Sequence, residues 1–137
     1  MGRLTDFFFN GSISNIYNLN GVLNEEGNKV WTNSEGQRHR LDGPAVLYPN
    51  GCEYWYQFGH LHRDDGPAVI IPNRKVFWYQ YGQRHREDGP AVIYNNRYSE
   101  YYIKSVKYSK DSWLEYLRDG ESSLDQNIIT RLILENI

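Results

Sequence analysis

One short pattern, His-Arg-x-Asp, gathers the residue types in this 137-residue sequence that could do chemistry. It occurs as His39-Arg40-Leu41-Asp42, His62-Arg63-Asp64-Asp65 and His85-Arg86-Glu87-Asp88. A histidine can act as general base, a guanidinium can stabilise an oxyanion, and a carboxylate can orient the imidazole. Three equal copies argue against that use. An active site draws different residues from several elements into one arrangement, whereas one copy per repeat is what a structural bond produces. Arg40, Arg63 and Arg86 are therefore expected to bridge to Asp42, Asp65 and Asp88 of their own or the next unit, each aspartate also tying its own turn.

The histidines suggest a metal row, with His60 beside it. Equivalent residues of neighbouring repeats lie about 10 Å apart, two strand spacings, while Zn–N bonds are about 2.0–2.1 Å. Two such histidines cannot share an ion, so neither metal nor cofactor is expected, and no catalytic residue. The lone cysteine, Cys52, stands just past a turn and reads as a bystander.

Aromatic residues make up 15% of the chain, with twelve Tyr and four Trp. Such rings anchor interfaces because they bury large area at low entropic cost. Alternation along the strand places Trp55 and Gln57 on one side and Tyr54, Tyr56 and Phe58 on the other. Trp55, Trp78 and Tyr101 are expected to stack as a ladder between hairpins. The face with Tyr54, Phe77, Phe58 and Tyr81 is then the exposed one. Candidate partner-binding residues are Tyr54, Trp55, Phe58, Phe77, Trp78 and Tyr81, oriented by Arg38, Arg74, Lys75 and Arg84.

These residues must be positioned by an internal repeat. The units begin at Gly36, Gly59 and Gly82, with a period of 23 and ten positions identical in all three. Asn20 to Glu35 resembles a worn fourth copy, with Trp31 one residue out of phase. Each unit reads as two strands, Ala45 to Tyr48 and Glu53 to Phe58 in the first. Pro49-Asn50-Gly51 turns between them through the Asn-Gly pair that type I′ hairpins favour. Gly59 then breaks the strand and a polar loop runs to Asp65-Gly66-Pro67. The glycine before proline suggests a conformation barred to other residues.

An open hairpin array needs covered ends. Asp111 or Ser109 can cap a helix through Arg118, which Asp119-Gly120 ends. Ser122 with Asp125 resembles a capping box opening a second helix, whose Leu124, Ile128 and Leu132 share a face with Ile129 and Ile133 beside it. The expectation is a mainly β, elongated antiparallel hairpin array capped by one or two C-terminal helices. Residues 1–35 form an N-terminal cap with the degenerate repeat, 36–104 the three repeats, and 105–137 the helical cap.

The pattern W-Y-x-x-G-x-x-H-R-x-D-G-P-A-V, at Trp55 to Val69 and Trp78 to Val92, resembles the MORN-repeat variant of bacteria, bacteriophages and large DNA viruses. It departs from the eukaryotic form, which carries Y-x-G-x-W and a second G-x-G. The resemblance implies a single-layer hairpin array, a scaffold role and self-association, and it transfers no catalytic residues.

The formal charge of −2 steers the chain towards neither nucleic acid nor anionic membrane. Gly36 to Arg97 holds eight Lys/Arg against six Asp/Glu, and Asp111 onward holds two against six. One cysteine forbids an intrachain disulfide, and no apolar run reaches the roughly 18 residues of a membrane helix. Asp6 spoils an N-myristoylation signal, and Phe7, Phe8 and Phe9 are too brief for a signal-peptide core. The expected chain is cytoplasmic (host cytoplasm if viral). It acts as a non-catalytic protein-interaction module, and the specific expectation is a viral one that binds and inhibits a host antiviral-defence protein. The alternative is a carbohydrate or cell-wall binding module; nucleic acid is a weaker partner still. A strand near Asn10 to Asn20 could pair with another copy to give a homo-oligomer.

Overall fold

The computed structural model describes residues 21–95 and 97–137. The suggested edge strand at Asn10 to Asn20 lies outside them. Among the described residues, thirteen strands precede two helices. They are Val22–Leu23 (β1), Lys29–Val30 (β2), Val46–Leu47 (β3), Glu53–Tyr54 (β4), Tyr56–Gln57 (β5), His60–Leu61 (β6), Val69–Ile71 (β7), Lys75–Phe77 (β8), Tyr79–Gln80 (β9), Gln83–Arg84 (β10), Val92–Tyr94 (β11), Tyr98–Ile103 (β12) and Val106–Tyr108 (β13). Helix α1 spans Lys110–Arg118 and α2 spans Gln126–Asn136. The fold is mainly β, with one long antiparallel sheet in the order β1-β2-β3-β4-β7-β8-β11-β12-β13, and the ribbons β5-β6 and β9-β10 beside it.

Each aromatic strand changes partners in its middle. Tyr54 pairs with Val46 and Val69, whereas Tyr56 pairs with Leu61. At the switch, Trp55 donates its backbone N–H to Ala68 O at 2.7 Å and its carbonyl accepts His62 N–H at 3.0 Å. One unit thus contains two hairpins rather than one. The second turns on Phe58-Gly59, Tyr81-Gly82 and Lys104-Ser105, where both central residues have positive φ. That is the type I′ signature. The segment expected to be loop from Gly59 opens with this turn and the short strand His60–Leu61, and residues 62–67 beyond it are loop. At Pro49-Asn50-Gly51, by contrast, only Gly51 has positive φ and its N–H donates to Tyr48 O at 3.0 Å. Proline holds φ near −65°, which bars type I′ there and leaves Gly51 to absorb the left-handed step.

The worn copy folds as a repeat. Trp31 N–H donates to Ala45 O and His39 N–H to Trp31 O, as Trp55 and Trp78 do with their own partners. Its phase slip is one extra turn residue: Asn33 N–H closes on Gln37 O around Asn33-Ser34-Glu35-Gly36.

Two cores hold the array. Val69, Phe77 and Val92 are buried under Tyr54, Leu61, Tyr79 and Tyr102. Ile103 is buried with Trp113, Leu114, Leu117, Ile129 and Leu132, so the helices lie on the last hairpin. Ser109 caps α1, its hydroxyl accepting Ser112 N–H at 3.1 Å. Asp125, not Ser122, caps α2 by accepting Asn127 N–H at 2.8 Å. Ser122 closes a local turn on Leu124 N–H instead. Among the described residues no helix is long and apolar enough to cross a membrane.

Candidate functional site

The His-Arg-x-Asp copies are consumed by bonds internal to the array. Arg40, Arg63 and Arg86 donate through Nε to Asp42, Asp65 and Asp88 at 3.1, 3.1 and 2.7 Å. Through Nη1 they donate to the Pro44, Pro67 and Pro90 carbonyls at 3.2, 3.2 and 3.1 Å. Each guanidinium also lies on an indole, its carbon 4.0, 3.7 and 3.9 Å from the ring centres of Trp31, Trp55 and Trp78. In place of the expected tryptophan ladder stand three indole–guanidinium pairs, one per unit, each a cation–π contact. At the last position the contact is ring on ring, Tyr101 against Trp113 of α1 at 4.7 Å.

The glycine before proline is explained by the same contact. Gly43, Gly66 and Gly89 do not have positive φ. A Cβ on them would stand 2.5, 2.9 and 3.0 Å from the guanidinium carbon of Arg40, Arg63 and Arg86. Glycine serves close approach here, letting the guanidinium lie against the backbone, rather than conformational freedom.

The histidines join each unit to the next. Nδ1 of His39, His62 and His85 accepts the N–H of Phe58, Tyr81 and Lys104 at 3.1, 3.1 and 3.0 Å. The proton of the neutral ring must then sit on Nε2, and His62 Nε2 reaches Asp64 Oδ1 at 2.9 Å. Phe58 and Tyr81 cover the rings of His39 and His62, with centroids 4.5 and 4.2 Å apart. None of the three motif histidines keeps a free Nδ1 to act as a general base. Among the described residues no three His, Cys, Asp or Glu side chains gather to hold a metal.

A pH dependence follows. Burial holds His85 below the ordinary histidine range, with Lys104 acting the same way and Glu87 opposing both. A depressed histidine makes the unfolded state bind protons first as pH falls. Its contribution is complete above about pH 6.5 and is lost on descending through the lower folded value. Urea midpoints are expected to drop between about pH 7.5 and about pH 5.5, and the slope should shrink in His85→Gln. An unchanged slope would show that His85 is not the responsible group.

The remaining candidates divide sharply. Phe77 is buried and Tyr54 half-buried in the core, so of the face expected to be exposed these two are packed. Trp55 and Trp78 are half-buried beneath arginines. Arg38 lies over Tyr56, and Arg84 over Phe77 and Tyr102 with a bond to Tyr79 Oη at 3.2 Å. Phe58 and Tyr81 are exposed at 57% and 67%, at the hairpin tips.

At the other edge, Arg74 and Lys75 border a groove of about 370 Å³ lined by Ile70, Ile71, Val76 and Ile93. Leu47, Glu53, Ile70, Val76 and Ile93 pair in turn across five strands, making one stripe on one face. Sequence reading misses this stripe, although alternation from the buried Val46, Val69 and Val92 would mark it. Arg74 has no side-chain partner among the described residues, while Lys75 Nζ sits 5.5 and 5.7 Å from the Phe77 and Tyr94 ring centres.

A second cleft, about 410 Å³, is lined by Asp64, Asp65, Glu87 and Asp88 among others. All four carboxylates there are already bonded: to His62, Arg63, the Tyr116–Ser123 pair and Arg86. The sequence matches no protein-family model, and neither a curated protein nor a solved structure matches it.

Proposed function

We propose that this chain is a non-catalytic protein-interaction module whose groove around Ile70, Val76 and Ile93 takes an acidic, partly apolar segment of its partner. The carrying observation is a contrast. Every copy of the chemically able motif is spent on intramolecular bonds, while the sheet leaves an apolar groove uncovered beside Arg74, whose guanidinium has no partner among the described residues. An apolar groove with a cation at its rim suits a carboxylate flanked by aliphatic side chains. The resemblance of the units to the phage and large-DNA-virus form of the MORN repeat extends this reading. It suggests a viral chain that binds and inhibits a host protein, such as a defence component, in the host cytoplasm.

The carbohydrate reading relies on Trp55 and Trp78, each with an arginine stacked on its ring. Wall-polysaccharide binding by calorimetry, lost in Trp55→Ala, would favour it instead.

The test is a tagged capture from bacterial lysate with three baits: the natural chain, Arg74→Glu, and Phe58→Asn/Tyr81→Asn. Asparagine tolerates positive φ, so the last variant keeps its turns. One stoichiometric protein is expected with the natural chain and the tip variant, and none with Arg74→Glu. Equal capture by all three baits, or none by any, would overturn the groove as the binding face.

A further inference from the structure

The hairpin tips form a row on the edge opposite the groove, and the row has an order. Glu35, Phe58, Tyr81 and Lys104 each stand immediately before Gly36, Gly59, Gly82 and Ser105, 23 residues apart, the first in the turn that carries one extra residue. The tips are stacked on one another. Gly59, Gly82 and Ser105 donate their N–H to Arg38, Leu61 and Arg84 carbonyls of the preceding unit at 2.9, 2.8 and 2.8 Å. Gln37 packs against Gly59 and His60 against Gly82. Successive positions are therefore one repeat apart, about 10 Å. All four residues are exposed, and the side chains of Glu35 and Lys104 have no ionic partner among the described residues.

Phe58, Tyr81 and Lys104 also occupy left-handed backbone, with φ of 49°, 47° and 48°. Bulky residues in this region cost of order 1 kcal/mol each. The rings of Phe58 and Tyr81 cover a histidine on one side, but more than half of each surface remains in water. Gly or Asn would make the turn with less strain. Water-exposed aromatics that the turn disfavours, flanked by an acid and a base without ionic partners among the described residues, are the composition of a contact surface.

We infer that this row is self-complementary and pairs with a second copy of the chain about a two-fold axis passing between Phe58 and Tyr81. Such an axis reverses the row. Phe58 of one protomer meets Tyr81 of its partner, and Glu35 meets Lys104 at both ends. A parallel pairing would set like charges against each other. Sheet twist makes two such rows diverge away from their crossing point. The rings thus take the centre, and the long Glu and Lys side chains span the outer gaps. Four residues a side give an interface at the small end of specific contacts, with a dissociation constant of roughly tens of micromolar. The groove lies at the other end of the strands, so pairing leaves two grooves free.

Sedimentation of the full chain over about 1–500 µM, at low and high salt, tests this. The natural chain is expected to dimerise. Glu35→Lys and Lys104→Glu should each stay monomeric where it dimerises, a shift of at least about tenfold. Both substitutions face solvent, and circular dichroism checks that they fold. Mixing the two single variants should restore association. The lysine introduced at position 35 of one protomer then meets the glutamate introduced at position 104 of the other, and the unaltered Lys104 meets the unaltered Glu35. The double variant alone should also dimerise. A natural chain that stays monomeric throughout, single variants that associate undiminished, or a mixture that fails to pair would each overturn the inference. None of these outcomes bears on the groove, which the Arg74→Glu capture tests separately.

Discussion

Glu87→Ala is expected to free the C-terminal helices from the hairpin array and to lower stability by about 2–3 kcal/mol. The carboxylate accepts Tyr116 Oη–H at 2.8 Å and Ser123 N–H at 3.1 and 3.2 Å, and the Ser123 hydroxyl as well. The Glu87 carbonyl accepts the Trp113 indole N–H at 3.1 Å. This residue fills the variable position of the motif, where the other units have Leu41 and Asp64. Hydrogen bonds to a charged acceptor contribute about 1.5–3 kcal/mol each, less than additively when solvent reaches the group.

Burial pushes the Glu87 carboxyl up, but the bonds from Ser123 and Tyr116, with His85 behind them, outweigh it and hold the carboxyl below its ordinary range. Its contribution is therefore present above about pH 4.5 and lost as pH falls through the folded value. Burial and the Glu87 charge together push the Tyr116 hydroxyl well above the ordinary tyrosine range. Circular dichroism should show helix melting before sheet in Glu87→Ala, and a smaller split in Glu87→Gln, which keeps an acceptor. A single transition at the natural midpoint would mean the apolar contacts of Trp113 and Leu117 hold the cap alone.

Arg63→Lys, though it conserves charge, is expected to lose about 2 kcal/mol, and Gly66→Ala a similar amount. A lysine cannot donate at once to Asp65 and the Pro67 carbonyl while lying flat on Trp55. A Cβ on Gly66 would stand 2.9 Å from the guanidinium carbon and force the arginine off the ring. Since both substitutions break the same contact, the double variant should lose about 2–3 kcal/mol rather than the sum. Additive urea-unfolding energies would show that the glycine acts through something other than the arginine.

The repeat period, the antiparallel sheet and the helices at the end are legible because they rest on local signals: a recurring 23-residue pattern, turn residues and capping side chains. Arg–Asp pairing within a unit is legible for the same reason, a spacing of two residues. The second hairpin is not. Its turn begins on Phe58, Tyr81 and Lys104, residues that no propensity rule would place at positive φ, and the histidines that receive those N–H groups lie 19 residues earlier. Alternation misplaces the exposed face at Tyr54 and Phe77 because the strand's register switches at Trp55, so the pattern cannot be carried across it. Glu87 reads as a free variable position because its partners, Tyr116 and Ser123, lie 29 and 36 residues away in the cap.

The histidine bond between one unit and the next makes the molecule's length adjustable. Its donor and acceptor recur in every copy, so a duplicated 23-residue segment inserted between the second and third units would find its arginine seat, its indole and both neighbouring clamps already in place. The glutamate that receives the helices would travel unchanged with the final unit. The chain can thus grow or shrink in steps of about 10 Å without inventing an interface. Insertions of any other length would leave one tip without a histidine to receive it.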